Sequence, residues 1–211
     1  MADNTAQRGL SPKSPRLAFA KNRVNLPGYG EAIYNPLYDY QTLAATATTT
    51  QRFFTTPVGQ GSPARNFGST NIELAGQIPK GQAFLVTGLQ VEILPGVAIN
   101  GTTASKFADD VYIVTKAAYL IFKIGAKDFV TQGNLMKFPP VNRMAVESST
   151  TVATDRYVYG VSAGREFAVA DLLLESNQNF SVSINELPAL PSAVAGIIGV
   201  TLNGYLYRNA Q

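Results

Sequence analysis

The sequence predicts an all-β fold, a jelly-roll sandwich of about eight strands with one short helix and an extended N-terminal arm. Three observations predict it. Alternating or β-branched runs recur along the chain between turn residues. Long connections containing Pro and Gly alternate with tight ones, as two Greek keys require. A single stretch, Ala104 to Ala118, has apolar residues at helical spacing. With 211 residues the chain is long enough for one large β domain and short for two. The expected organisation is therefore a basic arm over residues 1–33 and a jelly-roll domain over 34–211.

The arm comes first. Arg8, Lys13, Arg16, Lys21 and Arg23 face Asp3 alone, so residues 1–23 carry +4 and the remaining chain −1 of the total +3. Gly9, Pro12, Pro15, Pro27, Gly28 and Gly30 interrupt any helical or strand pattern. Such a segment is either an arm that folds against a partner or a solubilising tail. Tyr34, Tyr38 and Tyr40, with Pro36 and Leu37, mark where packing begins. The Thr-rich stretch 42–56, ending on Phe53 and Phe54, has the composition of strand. Pro57, Gly59, Gly61, Ser62 and Pro63 then make a loop.

The clearest strand is Phe84 to Ile93. Phe84 and Val86 lie on one phase and Leu89, Val91 and Ile93 on the other, with the slip at Gly88, which predicts a β-bulge. Asn100-Gly101 adds a turn. In the helical stretch Phe107, Val111, Val114 and Ala118 share a face, Ser105 suits the cap, and Asp109 and Asp110 suit the first turns. Tyr119 to Ile124, the turn Gly125-Ala126 and Lys127 to Thr131 form a hairpin. Gly133 to Pro140 leads into a second loop region. Further strands are Arg156 to Val161, Glu166 to Leu174 and, after the turn Asn177-Gln178-Asn179, Phe180 to Ile184. Pro188 and Pro191 end that last one. Ile197 to Tyr207 places Val200, Leu202 and Leu206 on one face and Thr201, Asn203, Tyr205 and Tyr207 on the other. Asn203-Gly204 has the residues of a hairpin turn, but little strand-like sequence follows it, so a through-running strand is expected.

Histidine and cysteine are both absent. That removes disulfides, thiolate chemistry, the commonest general base and the commonest metal ligand. The chain is 15% charged against roughly 25% in an average soluble protein, yet carries ten Tyr and eleven Phe. Either part of its exterior is covered by neighbouring copies or partners, or Ser, Thr, Asn and Gln stand in for charge. No leader or membrane-spanning pattern is visible, and the apolar stretch Ala193 to Leu202, with Gly196 and Gly199 in it, reads as a core strand. No repeat of fixed period appears. Gly76, Gly81 and Gly88 do not open a helix after a strand, so they make no phosphate-binding fingerprint.

Two carboxylates suffice for glycoside hydrolysis on a β sandwich. The candidates Asp109, Asp110, Asp128, Asp155, Glu166, Asp171, Glu175 and Glu186 nearly all fall in turns or at element ends, where solvated acids are expected. Asp171, inside an apolar run, reads as a buried acid paired with Arg165 or another Arg. Asp109-Asp110 with Asn100 offers oxygens to Ca²⁺ without EF-hand spacing, and a helix N-terminus accounts for it. Nucleic-acid contact belongs to the arm, whose cations would neutralise phosphates without reading sequence.

Three segments carry a resemblance. Leu172 to Ile184 (LLLESNQNFSVSI), followed by a Pro-rich loop and Gly199 to Arg208 (GVTLNGYLYR), resembles the closing strands of single jelly-roll capsid proteins of tailless bacteriophages, and Leu74 to Val86 (LAGQIPKGQAFLV) is similar. The resemblance rests on strand and turn patterns, with no active-site signature. It implies a virion shell protein that self-assembles into an icosahedral capsid, its arm directed inward or along a neighbour. Implied partners are other copies, other virion proteins and, through Arg8, Lys13, Arg16, Lys21 and Arg23, nucleic acid or an internal membrane. No cofactor, small-molecule substrate or catalytic residue is implied. Tyr34, Tyr38 and Tyr40 are the interface candidates, with Phe53 and Phe54 better placed in the core. The rival readings are a carbohydrate- or receptor-binding sandwich of spike or adhesin type, with Tyr stacking on sugars, and a hydrolase using acids such as Asp171 and Glu175.

Overall fold

The structure, a computed structural model, describes residues 29–94, 96, 106–131, 133–139, 143–147, 156–160 and 166–209. Most of the expected arm, with its five cations, lies outside these residues, as do Asn100, Ser105, Asp155 and Arg165.

Alternation along each strand sends one set of side chains inward, and two antiparallel sheets result. In the first, β1 (Tyr29–Tyr34) and β2 (Leu37–Leu43) lie end to end along one edge of β11 (Gly196–Asn209), followed by β4 (Gln82–Leu94) and β9 (Phe167–Leu174). The second has the order β3 (Thr48–Phe53), β10 (Phe180–Leu187), β5 (Tyr119–Ile124), β6 (Lys127–Val130). A separate hairpin of β7 (Arg143–Glu147) and β8 (Arg156–Gly160) sits in the connection from β6 to β9, and helix α1 (Lys106–Ala117) in that from β4 to β5. The last two strands each insert between earlier ones, β10 between β3 and β5 and β11 between β2 and β4. This double Greek-key order is the jelly roll that the sequence predicts.

Register fixes which loops meet. Leu43 and Leu94 both lie beside the start of β11, and Phe167 pairs with Leu89 near that end. Thr48, Leu187 and Tyr119 define the same end of the second sheet. Leu43, Thr48, Leu94, Tyr119, Leu187 and Gly196 therefore lie at one end of the sandwich, and the connections 54–81, 125–126 and 175–179 at the other.

Between the sheets Phe84, Val86, Leu89, Ile198, Val200 and Leu202 meet Phe53, Leu120, Phe122, Phe180, Val182 and Ile184 in one buried core. Phe122 meets Phe180 edge-on at 6.5 Å. Each such side chain contributes about 1.5–3 kcal/mol on burial, which outweighs any single surface contact. Phe54 joins this core, so both Phe53 and Phe54 are core residues, as expected.

The bulge falls where the sequence places it. Leu202, Asn203 and Gly204 pair with Leu89, Gly88 and Val86, leaving Thr87 as the extra residue. Both apolar sets of β4 thereby reach the same core. The helix and the through-running β11 also agree with expectation. Val114 and Ala118 enter the core, and the buried Asp110 carboxylate accepts the Ser192 N–H at 2.9 Å, tying α1 to the β10–β11 connection.

Three strands go beyond the expected set. β1 moves the start of the sandwich back from residue 34 to Tyr29, within the stretch assigned to the arm. The Thr-rich stretch divides, since Leu43 closes β2 and a turn at 44–47 precedes β3. β7 is a short segment with no clear alternation.

Candidate contact surface on the outer face of the first sheet

Leu37 and Leu43 point inward, so Tyr38 and Tyr40 take the opposite phase of β2. Tyr34 joins them on the outside opposite Tyr205, with the two rings edge-on at 5.7 Å. The Tyr38 and Tyr40 rings lie 5.9 Å apart. The three tyrosines singled out from the sequence thus share one outer face along the sheet edge.

Two glycines let long side chains cross this face. Gly199 lies opposite Tyr40 on one side and Glu92 on the other. A Cβ at Gly199 would fall 2.2 Å from the Tyr40 ring, so the bare backbone lets the ring lie across β11. Its hydroxyl donates to Glu92 Oε2 on β4 at 2.6 Å. Burial first, then the Glu92 carboxylate, push the Tyr40 phenol far above its usual value. Gly88 does the same for Glu166, whose carboxyl carbon lies 2.2 Å from where a Cβ would stand. Glu166 accepts from Asn203 Nδ2, and Asn203 Oδ1 accepts from the Tyr34 hydroxyl at 3.3 Å. Burial, then the charge of Glu166, raise the Tyr34 phenol as well. Two polar chains therefore span the sheet, one from β2 to β4 and one from β1 to β9.

The free edge of β2 is closed by the loop 54–81. Tyr40 N–H donates to Ser69 O at 2.7 Å, Tyr38 N–H to Asn71 Oδ1 at 2.9 Å, and the Tyr38 hydroxyl to the Phe67 carbonyl. Asp39 anchors the loop. Its fully buried carboxylate accepts Phe54 N–H at 2.6 Å and Gln41 Nε2 at 2.9 Å, and pairs with Arg65 Nη2 at 2.6 Å. Arg65 also donates to the Tyr40 and Ser69 carbonyls. Burial outweighs these bonds and holds the Asp39 carboxyl above the usual carboxylate value. With this edge saturated, strand addition along β2 is blocked, and what the surface offers a partner is rings and fixed polar groups.

The remaining acids are scattered. Asp109, Glu175 and Glu186 are exposed, Asp128 pairs with Lys123 at 3.1 Å on the surface, and Asp110 holds Ser192. Asp171 lies in β9, its side chain outside the described residues. Among the described residues no group of three or more Asp or Glu could hold a metal ion.

Sequence reasoning missed Asp39, Arg65, Glu92 and Asn203. Asp39 carried a signal, since it occupies the inward phase between two tyrosines. The others gave none, because their partners are distant in sequence. Comparison with protein-family models, with curated proteins and with solved structures gives no match.

Proposed function

We propose that this chain is a virion structural protein whose copies self-assemble into an icosahedral capsid shell. The observation that carries the reading is where the capsid-like segments fall. Leu172–Ile184 runs from β9 into β10, Gly199–Arg208 lies in β11, and Leu74–Val86 leads into β4. Those strands include the centres of both sheets of a jelly roll. One fold serves many functions, so the surface must supply the rest. It offers pre-oriented rings at Tyr34, Tyr38 and Tyr40, whose hydrogen-bonded edges reduce the entropy lost when a partner docks. The basic arm contacts neighbouring subunits or the particle interior.

The test is the mass of the purified full chain by light scattering, with electron microscopy of the same sample. Closed particles far above monomer mass are expected. A strict monomer at high concentration and physiological salt overturns the proposal.

A further inference from the structure

β1 and β2 share one edge of β11, yet only β2 is fixed by the core. Leu37 and Leu43 of β2 enter the buried cluster between the sheets. In β1, Glu31, Ala32 and Tyr34 are exposed and Ile33 is half-buried, and no described side chain of β1 enters an apolar cluster. What holds β1 is its ladder to residues 205–209, the Glu31–Arg208 ion pair at 2.7 Å, and the contacts of Tyr34 with Tyr205 and Asn203. A strand held by its backbone and by exposed side chains opens at lower free energy than the core strands beside it.

The boundary between the two strands is built as a pivot. Pro36 has no N–H to pair, and its carbonyl accepts Asn71 Nδ2 at 2.7 Å, which fastens the β2 side to the loop 54–81. On the β1 side, Asn35 N–H donates to the Gly204 carbonyl at 3.3 Å. A residue before proline favours extended backbone, so a β1 swung off β11 continues outward and does not fold back.

The slot that β1 fills outlasts it. Residues 205–208 are paired on their other side with 82–85 of β4, so β11 stays in place when β1 leaves. Its edge then carries unpaired backbone groups that another strand must satisfy. The β1 of a second copy brings the same register, the same acid for Arg208 and the same tyrosine for Tyr205 and Asn203. The β2 edge, closed by its loop, offers no such exchange.

We infer that β1 is exchanged between copies, the Tyr29–Tyr34 strand of one filling the 205–209 edge of another. Each contact given up within a chain is regained between chains, so exchange links subunits without a new surface. The inference rests on the reading that copies assemble, and it names the joint.

The chain has no cysteine, so Glu31→Cys and Arg208→Cys place thiols only on two facing residues of β1 and β11. The ion pair they replace is exposed and contributes little to stability. Chains carrying one substitution each, one of them tagged, are co-expressed, oxidised and run on a non-reducing gel. A cross-link between the two kinds of chain is expected, on the order of tenfold above a control in which Lys123→Cys of the second sheet replaces Arg208→Cys. A cross-link no stronger than the control overturns the inference. Light scattering on the same sample separates it from the shell reading. Large particles without the cross-link keep the shell and remove the exchange, a cross-linked dimer keeps the exchange and removes the shell, and a monomer removes both.

Discussion

Asp39 shows how one side chain holds a loop, a strand and the outer face in register. Removing it as Asp39→Ala leaves the Phe54 N–H and the Arg65 guanidinium without their acceptor in a buried site. A loss of about 3–5 kcal/mol is expected by urea denaturation, since an uncompensated buried charge remains. Asp39→Asn keeps one acceptor oxygen, enough for the Phe54 and Gln41 donors, and should lose less. The pH dependence follows from the raised carboxyl. Above the ordinary value of 3.8 the unfolded chain has released a proton that the native state still holds, so stability falls as pH rises through the window up to the raised value. Urea midpoints measured from pH 3.8 upward should show that slope, and Asp39→Asn should flatten it. On the outer face, Gly199→Ala is expected to eject the Tyr40 ring and cost about 1–3 kcal/mol, an overpacking penalty. Tyr40 itself should stay protonated in an alkaline ultraviolet titration well past its ordinary value of 10.

Among the elements, β4 carries the sharpest expectation. Its single extra residue lets Phe84 and Val86 share a core with Leu89 and Val91 although the two sets differ in phase. Deleting Thr87 removes the bulge and turns one set outward, because side-chain direction has a period of two. Losing two buried side chains at about 1.5–3 kcal/mol each consumes much of a typical domain stability of about 5–15 kcal/mol. The deletion should give protein without a cooperative thermal transition by circular dichroism, whereas Thr87→Ser should fold. The bulge, the helix, the β5–β6 hairpin and β11 were all legible in the sequence, because each rests on local alternation or helical spacing. β1, β2 and β7 were not. β2 puts a charged residue on its inward phase, and β1 and β7 are short, so long-range pairing is what makes them strands.

At the scale of the whole molecule the charge is segregated, +4 over residues 1–23 against a body near neutrality. Nucleic-acid binding by the full chain should therefore weaken steeply with salt, with a log–log slope reaching about −4.5 if all five arm cations meet phosphates of a duplex. Deleting residues 1–25 should abolish that binding and impair assembly while leaving the sandwich folded. Filter binding across a salt series and the particle mass of the truncated chain check the two halves. A truncated chain that assembles and binds as before would reduce the arm to a passive tail.

Strand phase, turn chemistry and composition are local properties, and by themselves they determined an all-β sandwich with one helix, the bulge at Gly88 and the separation of a basic arm from a near-neutral body. Tertiary structure alone decided that Tyr34, Tyr38 and Tyr40 share one outer face, that Gly199 and Gly88 are crossings for Tyr40 and Glu166, and that Asp39 and Arg65 close the edge of β2. Those partners are 26 to 169 positions apart in sequence, for the Asp39–Arg65 and Tyr34–Asn203 contacts respectively. Only the return of β11 through the middle of the first sheet brings the most distant of them into reach.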